Sequence, residues 1–232
     1  GWIITGISSQ DYYWVGGSGN WSDFENHWAT SSGGTTFHTG EPGVLDNVFF
    51  DANSFSSSAD EVTIDLTAIS MHDLDFSAVD DEAIFSGDKV INIYGSMNIS
   101  PLLKFYPDEI HFLSDEVETI NAKNNNLSNA SFYIDGSGTW TLQDSLLIKQ
   151  LHLSNGTFNT NGKYVHINDE TRFSGSSGAV LDMGTSFFFS RSLTGGTASN
   201  YTIDASEAIL SFSSSFTPDY NEENTVTINE LK

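Results

Sequence analysis

Three tryptophans near the start of the chain are the residues best suited to bind a ligand. Trp14, Trp21 and Trp28 recur at intervals of 7 residues. Indole rings stack well on the apolar faces of sugars, so these side chains are candidate ligand-binding residues. The alternative is that they fill the core of a small end cap, because the surrounding segment is otherwise rich in Gly and Ser. The sequence favours the cap core over the ligand site, because the three indoles are the largest apolar groups that this segment offers for a core.

Oxygen-bearing side chains gather just after this segment. Asp46, Asp51 and Asn53 lie within eight positions of one another, and hard cations prefer oxygen ligands. They are the candidates for calcium, which is the one cofactor that the sequence suggests. The stretch lacks the glycine and the terminal glutamate of an EF-hand loop, and the alternative is an ordinary turn beside a strand.

No catalytic constellation emerges from the remaining polar residues. The six histidines show neither an HExxH motif nor a close pair, so a zinc site is not expected. Asp73 and Asp75 share one strand face, but glycosidases need two carboxylates that face each other across a cleft. The eight basic residues are scattered singly, whereas lyase chemistry needs Asp beside Lys or Arg. We therefore predict a non-enzymatic protein with no catalytic residues.

The charge balance limits the partners. Eight Lys and Arg stand against 31 Asp and Glu, which gives a formal net charge of −23. Nucleic acid is not expected as a partner, because phosphate binding requires a basic footprint. The chain has no run of 18 apolar residues, so no membrane span is expected. The absence of cysteine excludes disulfides and thiol catalysis.

Short strands must position all these residues, and the segment 151–167 shows how. Its alternation places one set of apolar side chains on a common side and His152 and His166 on the other. The inward set consists of Leu151, Leu153, Phe158, Val165 and Ile167. Asn155-Gly156 and Asn161-Gly162 supply corners, since Asn and Gly tolerate positive φ. The segment is typical of one coil of a β-helix, although Asn-Gly also favours an antiparallel hairpin.

Recurrence of similar strands favours the coil. Similar tetrapeptides begin at Val62, Phe132 and Tyr201, 70 and 69 residues apart, and three coils of about 23 residues would fill each interval. We predict an all-β fold, a right-handed parallel β-helix with an aromatic-rich N-terminal cap. An antiparallel β-sandwich or jelly roll is the alternative. Tyr106-Pro107-Asp108 and Asn124-Asn125-Asn126 are expected to project as loops, where binding specificity is often built.

The chain divides into three parts on this interpretation. Residues 1–10 form either the remnant of a signal peptide or a first strand. Residues 11–52 form the cap, which a solenoid needs because its end coils expose unpaired backbone. Residues 53–232 form the β-helix, and we expect it to be truncated at the C-terminus, because the last strand lacks a cap.

The cap segment carries a family resemblance. Its YWVGGSGNWSD sequence at 13–23, followed by Asn26-His27-Trp28 and then by DNVFFD at 46–51, resembles the repeat opening of large Bacteroidetes surface adhesins. These gliding-motility and biofilm-type proteins are exported by the type IX secretion system. The segment GTFNTNG at 156–162 is similar to their coil sequences.

The resemblance implies a function and a location. It implies a non-enzymatic adhesin or stalk segment of a larger protein, exposed at the cell surface or secreted, that serves adhesion or gliding. Its partners would be the type IX translocon during export, together with surface polysaccharide or other adhesin segments. The alternative function is a carbohydrate-binding or carbohydrate-active β-helix domain.

Overall fold

The computed structural model is a parallel β-solenoid of about 8 turns. It describes residues 8–175, 178–196 and 200–217, and the backbone of 225–231. Successive coils pair in parallel throughout these ranges. Among the described residues, the antiparallel pairings are β1 (Asp11–Trp14) with β3 (Trp28–Ala29) and the bridge from Ala29 to Phe37. The predicted β-helix is therefore confirmed, and the antiparallel sandwich is not formed.

Each coil places strands on three faces, named here face A, face B and face C in chain order. Face A contains β1, β4 (Asn47–Asp51), β7 (Leu74–Ala78), β10 (Met97–Asn98), β13 (Val117–Asn121), β15 (Thr139–Leu142), β17 (Thr157–Asn159) and β19 (Ala179–Asp182). Face B begins with β2 (Gly19–Asn20), β5 (Glu61–Thr63), β8 (Ala83–Ser86) and β11 (Leu103–Tyr106). Face C begins with β6 (Ala68–Met71), β9 (Val90–Ile93) and β12 (Glu109–Phe112).

Later coils run through faces B and C in single bent strands. These are β14 (Asn126–Ile134), β16 (Leu146–Leu153), β18 (Tyr164–Phe173) and β20 (Phe187–Gly195). β21 (Tyr201–Thr217) continues through all three faces, and β22 (Thr225–Leu231) pairs with it on faces A and B. A register shift in each of these pairings marks the bend from one face to the next.

The register explains the core. On face A, Val48, Leu74, Met97, Ile120 and Leu142 stack in line and are fully buried. Like side chains can stack on one another because parallel coils repeat the same position at every turn. The spacing between these residues varies from 22 to 26, so the coil length is not constant, and the corners absorb the difference.

The segment 151–167 forms the predicted coil. Its three strands are the end of β16, β17 and the start of β18, and its five inward side chains are fully buried. The corners have positive φ, with 58° at Gly156, 51° at Asn161 and 70° at Gly162. Asn161 therefore adopts a conformation that few other side chains tolerate.

The spacing of the three similar tetrapeptides is not the structural repeat. Val62 lies on face B, Phe132 on face C and Tyr201 on face A, so the three segments do not stack on one another. Asp182 and Asp204 do stack, and their separation of 22 residues is one coil. The similarity of the three tetrapeptides is therefore coincidental, whereas the spacing between Asp182 and Asp204 reflects the true coil length.

The cap is continuous with the coils. β1 pairs with β4 in parallel on face A, and β2 pairs with β5 on face B. One hydrophobic cluster extends from Tyr12 to Leu210. The predicted leader or first strand at 1–10 lies largely outside the described residues, as do the side chains of the expected uncapped end at 226–232. No described helix has the length and hydropathy needed to cross a bilayer.

Candidate functional site

The three candidate tryptophans form the centre of the cap. Trp14, Trp21 and Trp28 are 0%, 1% and 0% exposed, so no ring face is open to a ligand from solvent. Trp28 packs edge-on against both other indoles, with centroid distances of 4.9 Å to Trp14 and 4.7 Å to Trp21. Its Nε1 donates to the Trp21 carbonyl at 2.9 Å, and Trp14 Nε1 donates to the Gly17 carbonyl at 2.7 Å. The tryptophans therefore close the end of the solenoid core.

The short helix α1 (Phe24–His27) explains the small residues between the first two tryptophans. It turns His27 into the cap, where the imidazole Nδ1 lies 2.7 Å from the Val15 carbonyl. A side chain at Gly19 would overlap that imidazole. The Gly-rich motif is thus a packing requirement of the cap.

The calcium candidates lie in separate turns. The Asp46 carboxylate accepts hydrogen bonds from Gln10 N and Gly43 N, both at 2.9 Å. Asp51 Oδ1 accepts from Asn53 N at 2.8 Å, and Asn53 Nδ2 donates to Ser32 Oγ at 2.9 Å. Within the described ranges, no group of three or more His, Asp and Glu side chains has the geometry of a metal site. Calcium binding here stays a prediction.

A column of aromatic rings lies on the outer side of face C, named here the face C ladder. It comprises His111, Tyr133 and His152, at the same register position in three successive coils. Adjacent ring centroids are 4.4 Å apart, and the ring planes differ by 2° and 6°. Arg172 occupies the next position in the column. The sequence predicted that His152 faces outward, but only the coil register supplies its stacking partners.

Carboxylates flank this ladder and raise the pKa of His111. His111 Nδ1 lies 2.7 Å from Asp135 Oδ2, and its Nε2 lies 3.5 Å from Glu109 Oε2. Burial by itself would lower the pKa of His111, but the hydrogen bond and charge of Asp135, followed by those of Glu109, outweigh burial and raise it. Burial would raise the pKa of Asp135, but hydrogen bonds from His111 and Ser154 lower it. The pair therefore favours the ionised forms.

The other two rings of the ladder have shifted pKa values as well. Burial lowers the pKa of His152, and the charge of Arg172 adds to that effect against the opposing carboxylates. Burial, followed by the charges of Glu109 and Asp135, raises the pKa of Tyr133. In mildly acid solution, His111 thus carries a proton more readily than His152 does.

The order of groups in the ladder is not that of a hydrolase. Ser154 Oγ donates to Asp135, and Asp135 pairs with His111. A nucleophilic serine needs an imidazole as its direct base, with the carboxylate behind the imidazole. Here the carboxylate lies between the two. The arrangement joins three successive coils through charge-assisted hydrogen bonds.

A groove follows the corner between faces B and C and has a volume of about 520 Å³. It lies where the bent strands change direction, at Ser128-Asn129, Lys149 and Asn168-Asp169. Earlier coils add Asp88, Tyr106 and Asp108. We name these eight residues the corner groove. Its carboxylates, ammonium group, amides and phenol are the groups that hold hydroxyl-rich ligands.

The sequence indicated part of this site. Tyr106-Pro107-Asp108 was expected to project where specificity is built, and Tyr106 and Asp108 do line the corner groove. Lys149 and Asp169 carried no signal, because they lie within strands whose alternation looks ordinary. They meet the other groove residues only because the coils are stacked.

Comparisons of this chain with protein-family models, with curated proteins and with solved structures find no match.

Proposed function

We propose that this chain is a non-enzymatic adhesin or stalk segment of a larger protein, displayed at the bacterial cell surface. The observation that carries the proposal is the continuous parallel stack of strands on face A, from β1 through β22. At about 4.8 Å per coil, its ten strands span roughly 43 Å along one axis. A fold of this shape holds surface groups at fixed, repeated spacing and extends them away from an attachment point.

The cohesion of the rod supports this role. The core is one hydrophobic cluster, and each coil is bonded to its neighbours through parallel ladders. Polar clamps such as His111 with Asp135 tie coils together on the outside. In repeat proteins, stability comes from such contacts between neighbouring units, so longer arrays extend the same rod.

The resemblance of the cap segment supports the export route and the location. It implies secretion through the type IX translocon, with surface polysaccharide or other adhesin segments as partners. The formal net charge of −23 favours neutral or cationic surfaces, because anionic surfaces would be repelled without divalent cations.

An attachment assay tests the proposal. Beads coated with the protein should attach to polysaccharide films and to bacterial surfaces, and a heat-denatured coat should not. Running the assay with calcium and with a chelator tests the cation prediction at Asp46, Asp51 and Asn53. Attachment no better than that of the denatured coat would contradict an adhesive role.

A carbohydrate-active domain is the second candidate function, and the corner groove favours it. Asp88, Asp108 and Asp169 line this groove together with Lys149, which is the combination that lyase chemistry on a β-helix uses. Incubation with neutral and acidic polysaccharides, followed by reducing-end and unsaturation assays, tests it. Polysaccharide turnover that is abolished by Lys149→Ala and by Asp169→Asn would establish an enzymatic function and reject the non-enzymatic proposal.

A further inference from the structure

The outer side of face B carries an aromatic column that stops abruptly. Tyr164 in β18 and Phe187 in β20 are paired in register, and Ile209 of β21 follows. The two rings are stacked, with centroids 5.4 Å apart and planes 11° apart. They are 47% and 38% exposed, so the two stacked rings form a small apolar patch on the outer side of the sheet. On the other side of Tyr164, the preceding coil offers only Ser145, since Leu146 pairs with Val165.

A slot remains where the next ring of the column would lie. It has a volume of about 170 Å³ and is lined by Asn124, Asn125, Asn126, Ser145, Leu146, Leu147 and Tyr164. Pockets for drug-sized ligands have volumes of about 300–1,000 Å³, so this slot accommodates a single small ring. We name it the face B slot.

The walls of the slot are held in place before any ligand arrives. The Asp144 carboxylate accepts hydrogen bonds from Ala122 N at 2.9 Å and from Asn124 N at 2.7 Å. Asn125 Nδ2 donates to the carbonyls of Ser100 and Leu103 at 3.1 and 2.6 Å. Asn124 itself has a φ of 56°, a left-handed conformation maintained by these contacts.

The Tyr164 ring is fixed as well. Its hydroxyl lies 3.2 Å from His166 Nδ1, and Phe187 supports one face of the ring. A ligand in the slot would meet the other face. Such preorganised walls lower the entropic cost of binding.

We propose that the face B slot binds one neutral pyranose ring of a surface glycan, an inference that rests on the proposed adhesive function. The apolar C–H face of a sugar stacks on an aromatic ring, and the side-chain amides of Asn124 and Asn126 with the Ser145 hydroxyl suit its hydroxyl groups. No lining residue of the slot carries a charge, and the chain is strongly acidic, so a uronic acid is disfavoured. The sugar continues the column that Phe187 and Tyr164 begin.

Saturation-transfer NMR with simple methyl glycosides tests the slot. The probes are the methyl glycosides of glucose, galactose, mannose and N-acetylglucosamine, with methyl glucuronide as the anionic comparison. A ligand of this size in an open slot binds with a dissociation constant of about 1 mM. We expect saturation transfer from the protein to at least one neutral probe and none to methyl glucuronide.

Three variants locate the binding. Ser145→Phe fills the slot with a ring that extends the column, so it should abolish transfer while the protein stays folded. Asn124→Gly keeps the left-handed backbone and removes the amide, and it should weaken binding at least tenfold. Val117→Ala is the control, because Val117 is an exposed apolar residue of face A that lines neither the slot nor the corner groove.

The outcomes separate this inference from the proposed function. The slot proposal would be overturned if no neutral probe binds the parent protein. It would also be overturned if the neutral probes bind the Ser145→Phe variant as tightly as they bind the parent. Concentration-dependent dimerisation that Ser145→Phe abolishes would overturn it in favour of a second copy of the chain. If beads coated with the Ser145→Phe variant attach normally, the protein is an adhesin whose attachment does not use the slot. If the parent protein binds glycosides but its beads never attach, the slot binds sugar and the adhesive function is rejected.

Discussion

The imidazole of His27 lies flat on the indole of Trp14, with ring centroids 4.4 Å apart and planes 5° apart. The two residues belong to opposite ends of the cap motif. Their contact, together with the hydrogen bond of His27 to Val15, folds 14–28 into a closed loop over the first coil. Residues 14–28 therefore form a plug over the end of the solenoid core, and the aromatic and glycine residues of this segment serve packing.

The cap predicts a large stability loss on truncation of its tryptophans. Trp14→Ala should lower the free energy of unfolding by about 3–5 kcal/mol, because it empties a fully buried site. Urea unfolding followed by circular dichroism measures this. Tyr106→Ala is the control and should change the value by less than about 0.5 kcal/mol. Equal stabilities for the two variants would contradict the plug.

The left-handed corner at Gly162 gives a second prediction. Its φ is 70°, and an added Cβ would lie 3.0 Å from Thr185 Oγ1. Gly162→Ala should therefore cost about 1–2 kcal/mol of unfolding free energy. Gly40→Ala is the matched control, because a Cβ there meets nothing within 4 Å. If Gly162→Ala and Gly40→Ala unfold at the same urea concentration, the prediction that a Cβ strains the corner at Gly162 is wrong.

Replacement by phenylalanine should change stability by different amounts at Trp140 and at Trp28. Among the buried side-chain nitrogen and oxygen atoms of the described residues, Trp140 Nε1 is the one that lacks a hydrogen-bond partner. Trp140→Phe removes that unpaired donor, which offsets part of the lost packing, so stability should stay within about 1 kcal/mol of the parent. Trp28→Phe loses a made hydrogen bond to Trp21 and should cost about 1 kcal/mol more. Thermal and urea unfolding of the two variants measure the difference.

The pair of His111 and Asp135 predicts a pH window for its stabilising effect. The pKa of His111 is raised from about 6.5, so its contribution is complete below 6.5 and is lost as the pH rises through the folded-state pKa. The pKa of Asp135 is lowered from about 3.8, so its contribution is present above 3.8 and is lost as the pH falls through the folded-state pKa. The pair therefore stabilises most between these two values.

Urea unfolding at several pH values tests this window. The difference in unfolding free energy between the parent and His111→Gln should be about 1 kcal/mol larger near pH 5.5 than near pH 8.5. Subtracting the variant removes the general effect of the acidic surface. Asp135→Asn, which removes the partner carboxylate, should differ from the parent with the same dependence on pH. If the difference in unfolding free energy between the parent and His111→Gln increases towards alkaline pH, the predicted stabilising effect of the His111–Asp135 pair is wrong.

Alternation alone was sufficient for most of the fold. In a strand, side chains point to alternate sides, so the burial of Leu151, Leu153 and Phe158 and the outward orientation of His152 follow from the sequence of one coil. The corner at Asn161-Gly162 could be inferred because few residues accept positive φ. These are local properties, fixed by each residue and its immediate neighbours.

The function of the aromatic residues could not be decided in this way. Trp14 and Tyr164 are both aromatic side chains beside short strands, yet one is sealed in the cap and the other is 47% exposed. The difference depends on which coil lies above each ring, and that depends on corner lengths that vary along the chain. Composition carries no information about it.

The sequence by itself determined the β-solenoid class, the inward and outward sides of its strands, the acidic surface and the cap segment. Only the tertiary structure decided which residues share a column: His111 with Tyr133 and His152, or Ser145 with Tyr164 and Phe187. Neighbours in a column are about 20 residues apart in the chain but about 4.8 Å apart in space. Because a slip of one residue in the pairing of a strand would exchange its two sides, the sites exist only in the assembled register.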